Sequence, residues 1–552
     1  MKYFKAYLAA LLLLIFIACN QGTNPGKTGA DTSIAEPAPV ETKDKREDKS
    51  LEEVVVSRGY LNATKSFEPP SSIYQREEED FNTEEYSPIA ENEFRSSTMH
   101  PLSTFSIDVD EASYSNVRRF LNDGVIPPAG AVRIEEMINY FDYQYPQPTG
   151  EDPFSVTTEI SSCPWNKEHK LIHVGLQGKT IPIENLPVSN MVFLIDVSGS
   201  MQDQNKLPLV KASLKLLTDQ LRENDRVAIV VYAGSAGMVL PSTPGSNKSA
   251  IKAAVDRLEA GGSTAGGEGI QLAYKIAAEN FIKNGNNRII LATDGDFNVG
   301  TSSTDELVTM VEKKREGGVF LSVLGYGMGN YKDDKMQQLA DKGNGNHSYI
   351  DNISEAKKVL VNEFGSTLFT IAKDVKIQIE FNPTLVQAYR LVGYENRVLA
   401  AEDFNNDKKD AGELGSGHTV TALYEIIPAG VKDQFTQKVD SLKYQQTAPV
   451  VFSSSKELMT VKLRYKKPDG DKSALIVKTA FDNGQASVTS ENFRFSAAVA
   501  EFGMLLRGSS FKQSSSFDQV LSLARSAKGE DINGYRAEFI RLVQAAGSLV
   551  KK

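Results

Sequence analysis

Apolar residues in the middle of this chain form short continuous runs that are separated by segments of helical periodicity. MVFLID (191–196) and RIILATDG (288–295) are such runs, and segments of about 10–15 residues with one apolar face lie between them. Continuous apolar strands between helices are typical of a parallel sheet that is covered on both faces. We therefore predict a doubly wound, Rossmann-like α/β domain over residues 190–365, with its ligand site beyond the carboxyl ends of the strands.

The pattern changes on both sides of this domain. After residue 370 the period is close to two, and VKIQIEFNP and HTVTALYEIIP alternate between Gly, Pro and Asp turns. This alternation predicts a β-sandwich-like C-terminal module, and terminal helices are predicted from Glu491 onward. On the N-terminal side, a strand from Thr104 to Val109 and a helix that Asp110 or Ser113 caps predict a flanking α/β segment.

The N-terminus has the pattern of an export signal. MKYFKAYLAALLLLIFIAC carries Lys2 and Lys5 before an apolar run that ends at Ile17, which is typical of a secretory signal peptide. The run is shorter than the ~20 residues of a membrane-spanning helix. Its end at Ala-Cys resembles a bacterial lipobox, although Phe16 stands where leucine is usual, and the resemblance implies lipidation of Cys19. We expect a membrane-anchored lipoprotein of the cell envelope, at the outer membrane and on its periplasmic or outer surface. An ordinary signal peptide cleaved elsewhere is the alternative.

A polar region follows the signal peptide. Residues 20–98 combine charge runs such as KDKREDKS with Pro, Ser and Thr, a composition that predicts a disordered tether. Within it LEEVVVSRGY (51–60) resembles a TonB-box-like segment, which implies a TonB-dependent receptor-type system as a partner. A short β-prone segment without this role is the alternative. The predicted division is a signal peptide (1–19), a tether (20–98), an N-terminal flanking domain (99–189), the α/β domain (190–365), a β-rich domain (366–490) and a helical region (491–552).

Composition and charge narrow the classes of function. The chain has 552 residues, of which 40% are hydrophobic, so more than one core is expected. Its net charge of −10 argues against a large nucleic-acid-binding face, which would be basic. Lipidation of Cys19 would leave Cys163 without a partner, so no intrachain disulfide is expected. Cys163 is interpreted as a small buried residue, and Trp165 as part of a core.

Oxygen-bearing side chains follow three of the predicted strands or loops at one edge of the sheet. One group follows MVFLID, a second lies in the loop GGSTAGGEG, and a third follows RIILAT. Carboxylate and hydroxyl oxygens favour a hard divalent cation, Mg²⁺ first, with Mn²⁺ or Ca²⁺ as alternatives. Such a site leaves one coordination position for a carboxylate from another molecule. The candidate ligands are Asp196, Ser198 and Ser200 after the first strand, Ser263 and Thr264 in the glycine-rich loop, and Asp294 after the third segment.

This constellation resembles the metal-ion-dependent adhesion site (MIDAS) of von Willebrand factor type A (VWA) domains. D-x-S-x-S, a threonine in a glycine-rich loop and a T-D-G strand end occur here in the family's order. The resemblance implies that Ser198 and Ser200 ligate the ion through their hydroxyls, and that Thr264 joins them when a ligand is bound. It also implies that Asp196 and Asp294 act mainly through water. The flanks TFSIDVDEASYSNVRRFLNDG and EDFNNDKKDAGELGSGHTVTALYEI are similar to those of bacterial YfbK-type proteins.

The favoured function is therefore binding of a protein partner, without an enzymatic activity. One alternative is a scaffold or assembly factor of the envelope that uses the same fold without a metal. A second is a serine hydrolase, in which Ser198 or Ser200 would need a base such as His347, but the chain has no G-x-S-x-G motif. The acidic group Asp108, Asp110 and Glu111 is interpreted as helix capping, with a second cation site as the alternative.

Overall fold

The structure is a computed structural model that describes residues 84–262, 266–295, 304–328, 332–363, 365, 369–436, 455–482 and 488–550. The predicted signal peptide with Cys19, the segment 51–60 and Thr264 lie outside these ranges, so what was inferred for them stays a prediction. Within these ranges, no helix has the length and apolar character needed to cross a membrane.

Strands and helices alternate through the middle of the chain, and strands dominate on either side of it. In chain order the strands are β1 (Arg95–Ser96), β2 (Leu102–Ser106), β3 (Phe154–Cys163), β4 (Asn166–Gly178), β5 (Ser189–Asp196), β6 (Arg226–Tyr232), β7 (Ala236–Pro244), β8 (Asn286–Thr293), β9 (Val319–Tyr326), β10 (His347–Ile350), β11 (Thr370–Phe381), β12 (Val386–Val392), β13 (Val398–Leu399), β14 (Gly412–Gly415), β15 (Thr419–Pro428), β16 (Glu457–Lys466) and β17 (Ser473–Phe481). The helices are α1 (Ala112–Asn122), α2 (Ile134–Asn139), α3 (Leu207–Gln220), α4 (Lys248–Asp256), α5 (Gly266–Glu279), α6 (Thr304–Glu316), α7 (Asp333–Lys342), α8 (Ile353–Lys357), α9 (Glu491–Arg507), α10 (Phe517–Ser526) and α11 (Tyr535–Val550). A π-helical turn, Lys358–Asn362, continues α8.

The central sheet confirms the predicted doubly wound α/β domain. Its strand order is β10-β9-β8-β5-β6-β7, and each neighbouring pair is parallel except β6 with β7. All eight residues of β5 are buried. Alternate side chains of β5 enter two apolar cores, one shared with α3, α4 and α8 and the other with α5, α6 and α7. Helices therefore cover both faces of the sheet, as the continuous apolar strands indicate.

The edges of this sheet differ from the predicted pattern. The apolar pattern of the chain does not predict the edge strands β7 and β10. Pro241 and Pro244 interrupt β7, and a proline is compatible with a strand mainly at a sheet edge. β10 has only four residues, which is too short to show a period. Helix α5 already begins at Gly266, so the last glycines of GGSTAGGEG belong to the helix and not to the loop.

Two further sheets form the predicted β-sandwich, and both include strands from either side of the central domain. Their orders are β1-β12-β15-β4-β3 and β13-β2-β11-β16-β17, with β14 paired to β11. An apolar core lies between them, with Phe105, Val174 and Ile379 among its buried residues. The ranges 99–189 and 366–490 therefore share both sheets, which their separate sequence patterns do not indicate. Strand β2 ends at Ser106 instead of the predicted Val109.

The C-terminal helices pack on the outer side of this sandwich. Helices α9, α10 and α11 share an apolar core with α1 and α2. Trp165 is completely buried in that core, which confirms its predicted role. Cys163 is also buried there with a free thiol, as expected for a small filler residue.

The acidic residues that precede α1 form ion pairs with other parts of the protein. Arg397 lies 3.1 Å from Asp108 and 3.2 Å from Asp110, and Lys358 pairs with Glu111. Glu111 occupies the N-cap of α1, and its side chain makes no capping hydrogen bond. The predicted capping role is therefore wrong, because these carboxylates form ion pairs with Arg397 and Lys358. Because these carboxylates already pair with side-chain cations of the protein, the alternative of a second metal-cation site is not supported.

Candidate metal centre

The candidate centre lies where the direction of the chain across the central sheet reverses. From β5 the chain continues through α3 to β6 on one side, and it later returns through α5 to β8 on the other side. Asp196 is the last residue of β5, and Asp294 directly follows β8. The register pairs Ile195 with Ala292, so both aspartates lie at the same carboxyl edge. Ligands bind at this kind of switch point in open α/β sheets.

The two serines of D-x-S-x-S have the spacing of neighbouring metal ligands. Ser198 Oγ and Ser200 Oγ are 3.1 Å apart. An octahedral Mg²⁺ binds oxygen at about 2.0–2.1 Å, which places neighbouring ligand oxygens about 3 Å apart. Ser198 is buried, whereas Ser200 is exposed. The pair therefore fits one side of an octahedral cation that faces solvent.

Asp196 is held in place by hydrogen bonds to both carboxylate oxygens. The backbone N–H of Ser198 donates to Oδ1 at 2.9 Å. The hydroxyls of Tyr232 and Thr293 donate to Oδ2 at 3.0 and 3.3 Å. Burial raises the pKa of Asp196 despite the hydrogen bonds from Ser198, and the nearby charge of Asp294 raises it further. The carboxylate is fixed and poorly solvated, which favours the approach of a cation.

Backbone hydrogen bonds connect the serine loop to the start of the glycine-rich loop. The N–H of Gly199 donates to the carbonyl of Gly262 at 3.0 Å, and the N–H of Gly261 donates to that of Val197 at 2.8 Å. Gly262 has φ +87, a conformation that side chains other than glycine rarely adopt. The described backbone thus reaches the serine loop two residues before Thr264. The participation of Thr264 itself stays a prediction.

Lys206 also lies at the candidate centre, although it is not part of the MIDAS-like motif. Its Nζ lies 3.1 Å from Asp294 Oδ2 and 3.8 Å from Asp203 Oδ2. Lys206 and Asp294 are both buried, whereas Asp203 is exposed. The sequence does carry one signal for it, because a lysine at the N-cap of α3 departs from the usual Ser, Thr, Asp or Asn.

The centre depends on hydroxyl ligands as much as on acids. Among the residues that the structure describes, no three or more His, Cys, Asp and Glu side chains are grouped so that they would hold a metal ion. Asp196 and Asp294 are two acids, and the hydroxyls of Ser198 and Ser200 are the further oxygens described at this edge. This donor set of oxygens fits Mg²⁺, Mn²⁺ or Ca²⁺ and not a soft metal.

His347 does not form a hydrolase site with the serines of the motif. His347 is in register with Val323 of β9, which pairs with Leu291 of β8 and through it with Leu194 of β5. Three strand spacings of about 4.8 Å separate His347 from β5, a distance of about 14 Å. It therefore lies far beyond hydrogen-bond reach of the loop that begins at Ser198.

A second serine and histidine do meet, but inside the protein. Ser496 Oγ lies 2.9 Å from His173 Nδ1, and His173 Nε2 lies 2.6 Å from the hydroxyl of Tyr145. Ser496 and His173 are fully buried, at 0% and 1% exposure. Burial lowers the pKa of His173 to about 3, so its ring is neutral. This pair has the character of a core hydrogen-bond network and offers no access to a substrate.

Comparison with known proteins agrees with this geometry. Family profiles match three consecutive parts of the chain: "von Willebrand factor" residues 80–173, "von Willebrand factor type A domain" residues 190–362, and "Uncharacterized protein YfbK, C-terminal" residues 366–549. The uncharacterized protein YfbK of Escherichia coli (strain K12) is 48% identical over 84% of this chain and 81% of its own length. The chain belongs to the YfbK family. The predicted membership of the YfbK-type VWA-domain proteins is thereby confirmed.

Other relatives of this YfbK-family protein are less similar and cover a smaller share of the chain. Inter-alpha-trypsin inhibitor heavy chain H3 of Mesocricetus auratus is 25% identical over 46% of this chain and 31% of that protein. A solved structure, von Willebrand factor type A from Catenulispora acidiphila, is 16% identical with a TM-score of 0.39, over 71% of this chain and 91% of its own. The matched VWA range includes every position of the predicted MIDAS.

Proposed function

We propose that this YfbK-family protein binds an acidic side chain of a protein partner through a divalent cation. The cation, Mg²⁺ first, would be held by Asp196, Ser198, Ser200, Thr264 and Asp294. It would supply an electrophilic contact to the partner's carboxylate. The protein's own residues fix the ligand oxygens and leave the outward side of the ion accessible at Ser200.

The observation that carries this proposal is the combination of buried carboxylates with correctly spaced hydroxyls. Asp196 and Asp294 are both 0% exposed, and buried charges are costly unless they are paired or bind a metal. Lys206 brings one positive charge to these two negative ones. Ser198 and Ser200 then offer two oxygens at 3.1 Å on the side that opens to solvent. A divalent cation would neutralise the remaining negative charge and would also bind the two hydroxyl oxygens. A second lysine would do only the first of these.

Manganese binding to the purified full-length protein tests the centre directly. Electron paramagnetic resonance of free Mn²⁺ should show one site per chain in the wild type and none in Asp196→Ala or Asp294→Ala. Asp219→Asn is the matched control, because Asp219 is an exposed acid of the same domain that pairs with Lys252. The control should bind Mn²⁺ as the wild type does. Binding that survives both alanine substitutions would contradict the proposal.

The partner is tested in the same variants. Membrane extracts should yield a bound protein in the presence of Mg²⁺, and chelator or Asp294→Ala should release it. A metal-independent scaffold of the envelope is the alternative function. It would retain its partner in chelator, and calorimetric titration with Mg²⁺ would then give no heat.

The proposed location rests on the N-terminal sequence. The apolar segment that ends at Cys19 supports lipid anchoring in the cell envelope, with the outer membrane as the expected site. Cys19→Ser should abolish incorporation of labelled fatty acid and release the protein from the membrane fraction. Deletion of residues 51–60 tests the TonB-dependent receptor-type partner, and unchanged association after this deletion would contradict that part of the proposal.

A binding role is favoured over an enzymatic one on geometric grounds. Three strand spacings of about 4.8 Å separate His347 from β5, the strand that precedes Ser198, and the Ser496–His173 pair is buried. A serine-directed covalent probe should therefore leave the folded protein unlabelled. Stoichiometric labelling of Ser198 or Ser200 would favour the hydrolase alternative.

A further inference from the structure

Lys206 occupies a position that the local structure of α3 disfavours. It is the N-cap residue of this helix, and its side chain makes no capping hydrogen bond. The N-terminus of a helix carries a partial positive charge, so a cation there is unfavourable. An exposed lysine would also gain by extending into solvent, but Lys206 is 5% exposed. A residue that breaks these preferences is expected to have a compensating role at a site.

The absence of a side chain at Gly327 leaves the space that the aliphatic part of Lys206 occupies. Gly327, which directly follows β9, has φ +78, and a Cβ at that position would lie 2.5 Å from Cε and 2.6 Å from Cγ of Lys206. The carbonyl of Gly327 also accepts a hydrogen bond from the hydroxyl of Tyr349. The aliphatic part of Lys206 therefore passes over a glycine whose backbone is fixed. Its ammonium group is directed to Asp294 and not to solvent.

Asp203 lies on the solvent side of the same ammonium group. Its Oδ2 is 3.8 Å from Lys206 Nζ, and the side chain of Asp203 is 71% exposed. The backbone N–H of Lys206 also donates to the carbonyl of Asp203 at 3.0 Å. The ammonium group thus has a buried acid and an exposed acid within reach. A small rotation of the lysine side chain would exchange the first for the second.

The geometry points to Lys206 as a resident cation of the centre, which competes with the divalent ion for Asp294 and gives the loaded centre one excess positive charge. This inference rests on the proposed function. In the metal-free protein the ammonium group partly neutralises the two aspartates. In the loaded protein it moves toward Asp203, whose exposed carboxylate is screened by solvent. At the buried centre the divalent charge together with Lys206 then exceeds the charge of Asp196 and Asp294 by one. Lys206 therefore weakens metal binding and strengthens the attraction of a carboxylate.

Lys206→Met tests this role because methionine keeps an unbranched apolar chain and removes the charge. The matched control is Lys215→Met, since Lys215 lies on the same helix and pairs with Asp256 at the surface. The dissociation constant of Mn²⁺ for the full-length protein should fall at least tenfold in Lys206→Met, because repulsion between close charges is strong in a buried site. It should stay within twofold of the wild type in Lys215→Met.

Two further measurements separate the role of the charge from a role in folding. Acetate serves as the carboxylate probe, and its affinity for the Mn²⁺-loaded protein, measured by water-proton relaxation, should fall at least threefold in Lys206→Met. In chelator the thermal midpoint of this variant should be lower than that of the wild type, and Mn²⁺ should raise it more. Lys206→Gln, which keeps a hydrogen-bond donor for Asp294, should show an intermediate Mn²⁺ affinity.

The outcomes distinguish this inference from the proposed function. If the wild type binds Mn²⁺ and Lys206→Met binds it with the same dissociation constant, the inference is overturned and the proposed function stays intact. Binding only in Lys206→Met would support the resident cation and overturn the proposed function of the wild-type centre. If neither protein binds Mn²⁺, both proposals fail.

Discussion

Replacing Arg118 with methionine should destabilise three parts of the protein together. Arg118 on α1 lies 2.7 Å from Glu355 on α8 and 3.1 Å from Glu538 on α11. Its Nε also donates to Asp351 at 2.8 Å. One guanidinium thus joins the N-terminal flank, the end of the VWA domain and the last helix.

The expected loss follows from the burial of this cluster. The side chains of Arg118 and Glu355 are 3% and 1% exposed. Removing one partner of a buried ion pair costs about 3–5 kcal/mol, because the other charge is left without compensation. Folded proteins are stable by about 5–15 kcal/mol, so Arg118→Met should remove a large fraction of the free energy of unfolding.

Urea unfolding of the wild type, Arg118→Met, Glu355→Gln and the double variant measures this contribution. The double variant should be less destabilised than the sum of the two single variants, because Glu355→Gln removes the charge that Arg118→Met leaves uncompensated. Lys252→Met is the control, since Lys252 forms an exposed pair with Asp219, and it should change stability by less than about 0.5 kcal/mol.

Amide hydrogen exchange shows which helices lose stability when this ion-pair cluster is broken. Amides of α8 and of α11 should exchange faster in Arg118→Met, although these helices are far from α1 in sequence. A loss of less than about 1 kcal/mol, or exact additivity in the double variant, would refute the reasoning, since contacting charges should couple more strongly. Faster exchange confined to α1 would also refute it.

Two other predictions concern buried titratable groups. Burial alone would lower the pKa of His169, but its hydrogen bonds to Glu425 (2.6 Å) and Asp433 (2.7 Å) raise it above the ordinary value. The stabilising imidazolium is fully present below the unfolded pKa of about 6.5 and is lost as pH rises through the raised folded pKa. The stability difference between wild type and His169→Gln should therefore be largest near about pH 6 and shrink in alkaline solution; a difference independent of pH would contradict this. Burial, followed by the charge of Glu425, raises the pKa of the Cys163 thiol, so a thiol reagent should label it only after unfolding in urea, and rapid labelling of the folded protein would count against it.

The central domain could be predicted from sequence because its signals are local. Each strand next to the site is a continuous apolar run, and Asp196 and Asp294 directly follow two of them. The parallel arrangement then requires both carboxylates to share an edge. The edge strands β7 and β10 could not be predicted in this way, because prolines and shortness remove their period.

Interactions between distant parts of the chain account for the rest. Asp108 precedes a helix and so suggests a cap, but its partner Arg397 is 289 residues away. Nothing near Asp108 in the sequence indicates that pairing. Lys206 is different, because its unsuitability as an N-cap is visible in the sequence itself. A lysine at a position where helices prefer Ser, Thr, Asp or Asn was the signal in the sequence for this residue of the centre.

The two sheets of the sandwich can form only after the ribosome has made the strands on both sides of the central domain. Thr104 of β2 pairs with Gln378 of β11, 274 residues later. At about 5–20 residues per second, a ribosome needs about 14–55 s to span that interval. The early strands are made long before their partners, whereas the strands of the central sheet lie within one continuous range of the chain. A fragment that stops after the inserted domain would carry open strand edges prone to aggregation. The excised range 189–363 is therefore a better fragment for expression than the N-terminal half of the chain.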